Sequence, residues 1–122
     1  MGRFLVVAGG AGSAADVVFK KGVAAFAKLG GLTPHDLFEG RGVRVAAFPR
    51  ARGATPSIAR VSNGGFLVAS GSWWFGGRRA DADAAAAAAV ASAIAAPDLA
   101  AELRSLDGVF ALATSGREDG TF

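Results

Sequence analysis

Apolar and polar positions alternate in blocks along this chain, and the blocks predict its elements. Arg3 to Ala8 is almost entirely apolar after its first residue, as expected of a buried strand. Gly9-Gly10-Ala11-Gly12 breaks that strand. From Ser13 to Leu29, Val17, Val18, Phe26 and Leu29, with Ala24 and Ala25 between them, fall on one broad helical face. Ser13 or Asp16 is placed to cap this helix, and Gly30-Gly31 to stop it. Thr33-Pro34-His35-Asp36 predicts the start of a second, short helix, because proline is tolerated in a first turn.

Three strand-like runs follow: Val43 to Phe48, ended by Pro49; Ser57 to Val61; and Phe66 to Trp74. Ser62-Asn63-Gly64-Gly65 between the last two is a hairpin signal. After Gly76-Gly77-Arg78-Arg79, Asp81 and Asp83 open an alanine-rich helix from about Ala82 to Ala96, ended by Pro97. Its run of six alanines beside Val90 and Ile94 reads as tight helix packing, not as low complexity. Asp98 caps a short helix to about Ser105. Asp107-Gly108 then turns the chain into the apolar strand Val109 to Ala113. The order is β-α-(α)-β-β-β-α-α-β. Consecutive strands in the middle imply antiparallel hairpins, hence an α+β layout.

Composition narrows the chemistry. A chain of 122 residues with 52% hydrophobic positions and 18 glycines fits one compact, turn-rich domain with a modest core. The net charge of +3 comes from cations that cluster at most in pairs, Lys20-Lys21 and Arg78-Arg79, which argues against nucleic-acid binding. Without cysteine there is no disulfide, thiolate metal site or cysteine nucleophile, and a single histidine, His35, makes no metal cluster. His35 itself reads as a surface residue near a cap. No apolar run approaches the roughly eighteen residues of a membrane span, and Phe4 to Ala8 is too short for a signal segment. These features lead to the expectation of a soluble, cytoplasmic protein with no membrane partner. Gly116 to Gly120 is a polar turn before Thr121-Phe122, which reads as the start of another strand and gives the expectation of a C-terminally truncated domain over 1–122.

Leu103-Arg104-Ser105-Leu106-Asp107-Gly108-Val109-Phe110-Ala111-Leu112-Ala113 resembles the helix–LDG–strand segment of the N-terminal class II glutamine amidotransferase-like domain of the asparagine synthetase family. That resemblance implies an N-terminal-nucleophile (Ntn) hydrolase-like fold of stacked, largely antiparallel sheets with outer helices. The family begins Cys-Gly-Ile-Phe-Gly, and its N-terminal cysteine attacks the glutamine amide. Here Met1-Gly2-Arg3-Phe4 puts Met1, or Gly2 once Met1 is removed, where that nucleophile stands. The family's oxyanion segment corresponds to Phe66 to Trp74. Gly71 matches its glycine, and Ser70 replaces the asparagine whose amide polarises the carbonyl. Of the family's Gly-Ser-Asp only Asp81 survives in Arg79-Ala80-Asp81, a remnant of the substrate pocket. The Arg-Gly-Pro segment has no closer counterpart than Phe38-Glu39-Gly40-Arg41-Gly42.

The resemblance therefore implies a non-hydrolytic domain with no catalytic residue and no bound metal, like those of β-lactam synthetases and lasso-peptide cyclases. Such a domain acts as scaffold or docking surface for an ATP-dependent, amide-forming synthetase domain of the ATP-pyrophosphatase type. ATP and magnesium would belong to that partner domain or subunit, and this chain would carry no cofactor. Self-association into a homo-oligomer is left open.

Two other readings come from the residues themselves. Gly10, Gly12 and Ala15 fit the G-x-G-x-x-A spacing of a nucleotide-binding turn between a strand and a helix, although no acidic residue follows the next strand-like run. Trp73-Trp74-Phe75 could form an aromatic patch of a partner-binding module without enzymatic role. Strand alternation instead predicts that one of the two tryptophans is buried. Asp81 and Asp83 suit a helix N-terminus, and no pair of carboxylates is spaced for acid–base work.

Overall fold

A computed structural model describes residues 3–9, 12–40, 42–49, 58–60, 64–79, 89–90, 101 and 104–115. Among them the elements run β1 (Arg3–Ala8), α1 (Ser13–Gly30), β2 (Asp36–Gly40), β3 (Val43–Phe48), β4 (Ala59–Arg60), β5 (Phe66–Phe75), β6 (Arg78–Arg79) and β7 (Leu106–Ser115). The fold is mixed α+β, and every strand pairing among the described residues is antiparallel.

One sheet has the order β1-β3-β2. Its middle strand, β3, is buried along its whole length, which is why Val43 to Phe48 is apolar at every position but Arg44. Val43, Val45 and Ala47 face the second sheet, where they meet Ile58, Phe66 and Val68, with Phe4, Val6, Phe38 and Ala113 around them. The other face lies under α1. There the Phe48 ring stacks on Phe26 with centroids 4.2 Å apart, and the backbone of Gly22 comes so close to Leu5 that a Cβ would strike it. Burying Phe48 and Phe66 completely contributes about 1.5–3 kcal/mol each.

The second sheet is built around β5. It pairs with β7 over its full ten residues, from Phe66↔Ser115 to Phe75↔Leu106. A strand has two edges, so β4 at one end of β5 and β6 at the other share the edge opposite β7. Gly76 and Gly77, at φ 55° and 78°, make the two-residue turn into β6. On the face away from the first sheet, Leu67 and Trp73 pack with the helical residue Val90, and Phe110 lies 6.0 Å from Trp73 between ring centroids. Trp73 is buried and Trp74 is 38% exposed, the split that strand alternation predicts.

Several expectations are corrected. Thr33-Pro34-His35-Asp36 does not open a helix. Residues 31–34 have no regular structure, the His35 N–H donates to the Ala47 carbonyl at 3.0 Å, and Asp36 starts β2. Pairing with the buried β3 outweighs the local cap signal. Neither Ser13 nor Asp16 caps α1: its N-cap is Gly12, with no side-chain bond. Its C-terminus at Gly31 is as expected.

Asp107-Gly108 is not the turn before the last strand. Both lie inside β7, which begins at Leu106. Gly108 has φ 124°, and a Cβ there would collide with the Ser72 carbonyl and stand 2.9 Å from the Trp73 Cα. The glycine serves a close approach of two backbones, not a reversal. Of the alanine-rich helix, Ala89 and Val90 are described and helical; of the short helix after Asp98, Ala101 and Arg104. Ser105, the expected end of the short helix, is a turn. The remainder of both helices, with Ile94, lies outside the described residues, as do Ser57, Val61 and residues 116–122.

Candidate functional site

The residues singled out by the family resemblance are only partly described. Ser70 and Gly71 sit in the middle of β5, opposite Ala111 and Phe110 of β7. Ser70 is half-buried, and the alternation that turns Phe66 and Val68 toward the first sheet carries Ser70 to the same face. Gly71 is buried at φ 113°. Met1, Gly2, Asp81 and Arg41 lie outside the described residues. The nearest described neighbour of the expected nucleophile position is Arg3, which pairs with Phe48 at the end of β1.

The glycine-rich turn after β1 has its strand and its helix, but their surroundings differ from a dinucleotide site. β1 pairs antiparallel with β3, and among the described residues no parallel strand lies beside it. The Gly9 N–H donates to the Gly42 carbonyl at 3.1 Å, and the Gly12 carbonyl accepts from the Asp16 N–H at 3.3 Å. Gly10 and Ala11 are outside the described residues. Among those described, no group of three or more His, Asp or Glu side chains could hold a metal ion. None of the described helices is long and apolar enough to cross a membrane.

Two charged constellations were not foreseen. The first joins the sheets. Asp36, at the start of β2, accepts from the Ile58 N–H at 2.9 Å and from both terminal nitrogens of Arg60, at 2.8 and 3.2 Å. The same guanidinium donates to the carbonyls of Leu37 and Ile58 at 2.7 and 3.0 Å. Burial pushes the Asp36 carboxyl up, but the Arg60 fork, the Ile58 N–H and the Arg60 charge together hold it below the usual carboxylate range. The hydrogen bond to Asp36 raises Arg60 correspondingly against its own desolvation.

The second constellation lies under the first half of α1. Arg44 on β3 is nine-tenths buried, beneath the helix. Its Nη2 meets Glu39 Oε1 at 3.2 Å across the β2–β3 pair, and its Nε stands 3.8 Å from Asp16 Oδ1. That Nε is buried without a hydrogen-bond partner. Asp16 also takes Lys20 Nζ at 2.7 Å, one helical turn on. The Lys20 hydrogen bond, with the charges of Lys20 and Arg44, keeps the Asp16 carboxyl low against its own desolvation. No motif marks either group. The only local signal is the helical spacing of Asp16 and Lys20, because the other partners are brought together by sheet pairing and by sheet stacking.

Two contiguous clefts flank α1 on the β2 side. One, of about 290 Å³, is lined by Asp16, Glu39, Arg44 and apolar neighbours. The other, of about 270 Å³, is walled almost wholly by carbon. They share Phe19, Lys20 and Leu37. No protein-family model matches the chain, and no similar curated protein or solved structure was found.

Proposed function

We propose that this chain is a non-hydrolytic, amidotransferase-like domain with an Ntn-type arrangement, acting as scaffold or docking domain for an ATP-dependent amide-forming synthetase. The observation that carries the reading is the stacking of two antiparallel sheets, with β1 and β3 in one, β5 and β7 in the other, and α1 outside. This is the layout expected from the resemblance of the LDG strand, and the β5–β7 pairing puts that strand against the segment holding Ser70 and Gly71. None of the 122 residues is a cysteine, so this sequence holds no thiol nucleophile, and the Ser70 hydroxyl is a weaker substitute for an amide donor. ATP and magnesium chemistry then belongs to the partner, and this domain supplies a surface.

The test has two readouts. The purified chain incubated with glutamine should release no ammonia above the spontaneous rate; release would overturn the non-hydrolytic reading. Affinity capture from the native cell, with mass spectrometry, should recover a synthetase of the ATP-pyrophosphatase class. Recovery of none would overturn the docking role.

A further inference from the structure

The outer strands of the two sheets are not alike. In the first sheet they are short and guarded. β1 has six residues and β2 five, and β2 carries Asp36 and Glu39, with the Arg60 guanidinium bound to its Leu37 carbonyl. β7 differs. It runs ten residues, Leu106–Ser115, against a usual strand length of about five or six. Among the described residues it pairs with β5 alone, so no described strand lies along the N–H and C=O groups that point away from β5. Such edges are commonly protected by lysine, proline or a bulge. Between Leu106 and Ser115 there is no lysine and no proline. The register with β5 holds unbroken from end to end, so there is no bulge either. Asp107 is the only charge, close to one end, and Ala111 in the middle of the strand is exposed.

We infer that two copies of this chain join through the outer edges of β7, antiparallel about a two-fold axis, so that one sheet runs through both. The edge calls for an extended strand, because only a strand returns a hydrogen bond to every second residue along it. A second β7 meets that demand over the whole length, since a two-fold makes the edge its own complement. Alternation narrows the register. Leu106, Phe110 and Leu112 pack with Trp73 on one face, and Ala113 joins the β3 seam on the other, so positions of the same face must stand opposite each other. A two-fold through Phe110 or Ala111 does this. Asp107 of one copy then falls opposite Ala113 or Ser115 of the other, and no like charges meet. A strongly acidic or basic foreign strand would find no complementary charge on this edge. The inference is independent of the docking role proposed above, which neither needs nor forbids a dimer.

The experiment mixes isotope-labelled and unlabelled full chain at about 1 mM and records only the NOE contacts between copies, beside sedimentation velocity across a dilution series. One strand pair is a small interface, so a two-copy species that dissociates on dilution is expected. Its contacts between copies should be Hα–Hα contacts centred on Phe110 or Ala111. Ala111→Lys sets two ammonium groups near the axis and should weaken association at least about tenfold. A single-copy mass throughout, contacts between copies at another surface, or unchanged association of Ala111→Lys would each overturn the assignment. So would slow exchange, at every concentration, of the β7 amides that point away from β5, because another part of the same chain would then cover the edge. The contacts are read on the wild-type chain, so they decide the matter even where the variant fails to fold.

Discussion

At the scale of single residues, Gly108 shows how tightly the second sheet is closed. Its φ of 124° lies where L side chains are strained, and the Ser72–Trp73 backbone fills the space a Cβ would need. Neither neighbour is the far end of a flexible side chain, so nothing yields cheaply. Gly108→Ala is expected to cost about 2–5 kcal/mol, combining backbone strain with overpacking. Urea denaturation checks this, and a variant within about 0.5 kcal/mol of wild type would contradict the close approach. Arg44 is the opposite kind of residue. It is buried, yet Glu39 is 72% exposed, so the ion pair places one charge in the interior and leaves the other largely hydrated.

Among the elements, α1 was readable from the chain and β2 was not. Its length and its stop at Gly30-Gly31 are as expected, but its buried face is not. Of Val17, Val18, Phe26 and Leu29 only Phe26 packs on the sheet, against Phe48, while Val17, Val18 and Leu29 are exposed and Ala15 and Gly22 take their place. β2 carries no such local signal. Asp36 to Gly40 mixes charge, apolar and glycine positions behind a proline, and it becomes a strand because β3 offers it an edge. β5 lies between these cases. Alternation decides that one tryptophan is buried, while the helical residue at Val90 decides what covers Trp73. Trp73→Ala should cost about 3–5 kcal/mol and Trp74→Ala about 1 kcal/mol or less, measured by thermal unfolding. Equal costs would mean that β5 presents a different face to the core.

In the molecule as a whole, the sheets are held by the apolar seam of β3 against β5 and by the Asp36–Arg60 clasp at its side. Because Asp36 is held below its ordinary range, the clasp contributes fully above about pH 4 and is lost as pH falls through the lower folded value. Asp36→Asn should therefore lower stability at neutral pH by about 1.5–3 kcal/mol and flatten the acid limb of a Tm-against-pH curve. An acid limb as steep as that of the wild type would remove Asp36 from that role. The chain alone determined β1, α1, β3, most of β5, the α+β class and the burial of one tryptophan, because hydrophobic period and glycine or proline stops act over neighbouring residues. It did not contain the pairing of Asp36 with Arg60, the place of Arg44 under α1, the strand at β2 or the reason for Gly108. Those depend on partners brought close by sheet pairing and stacking, and a contact between distant positions leaves no periodic trace in the sequence.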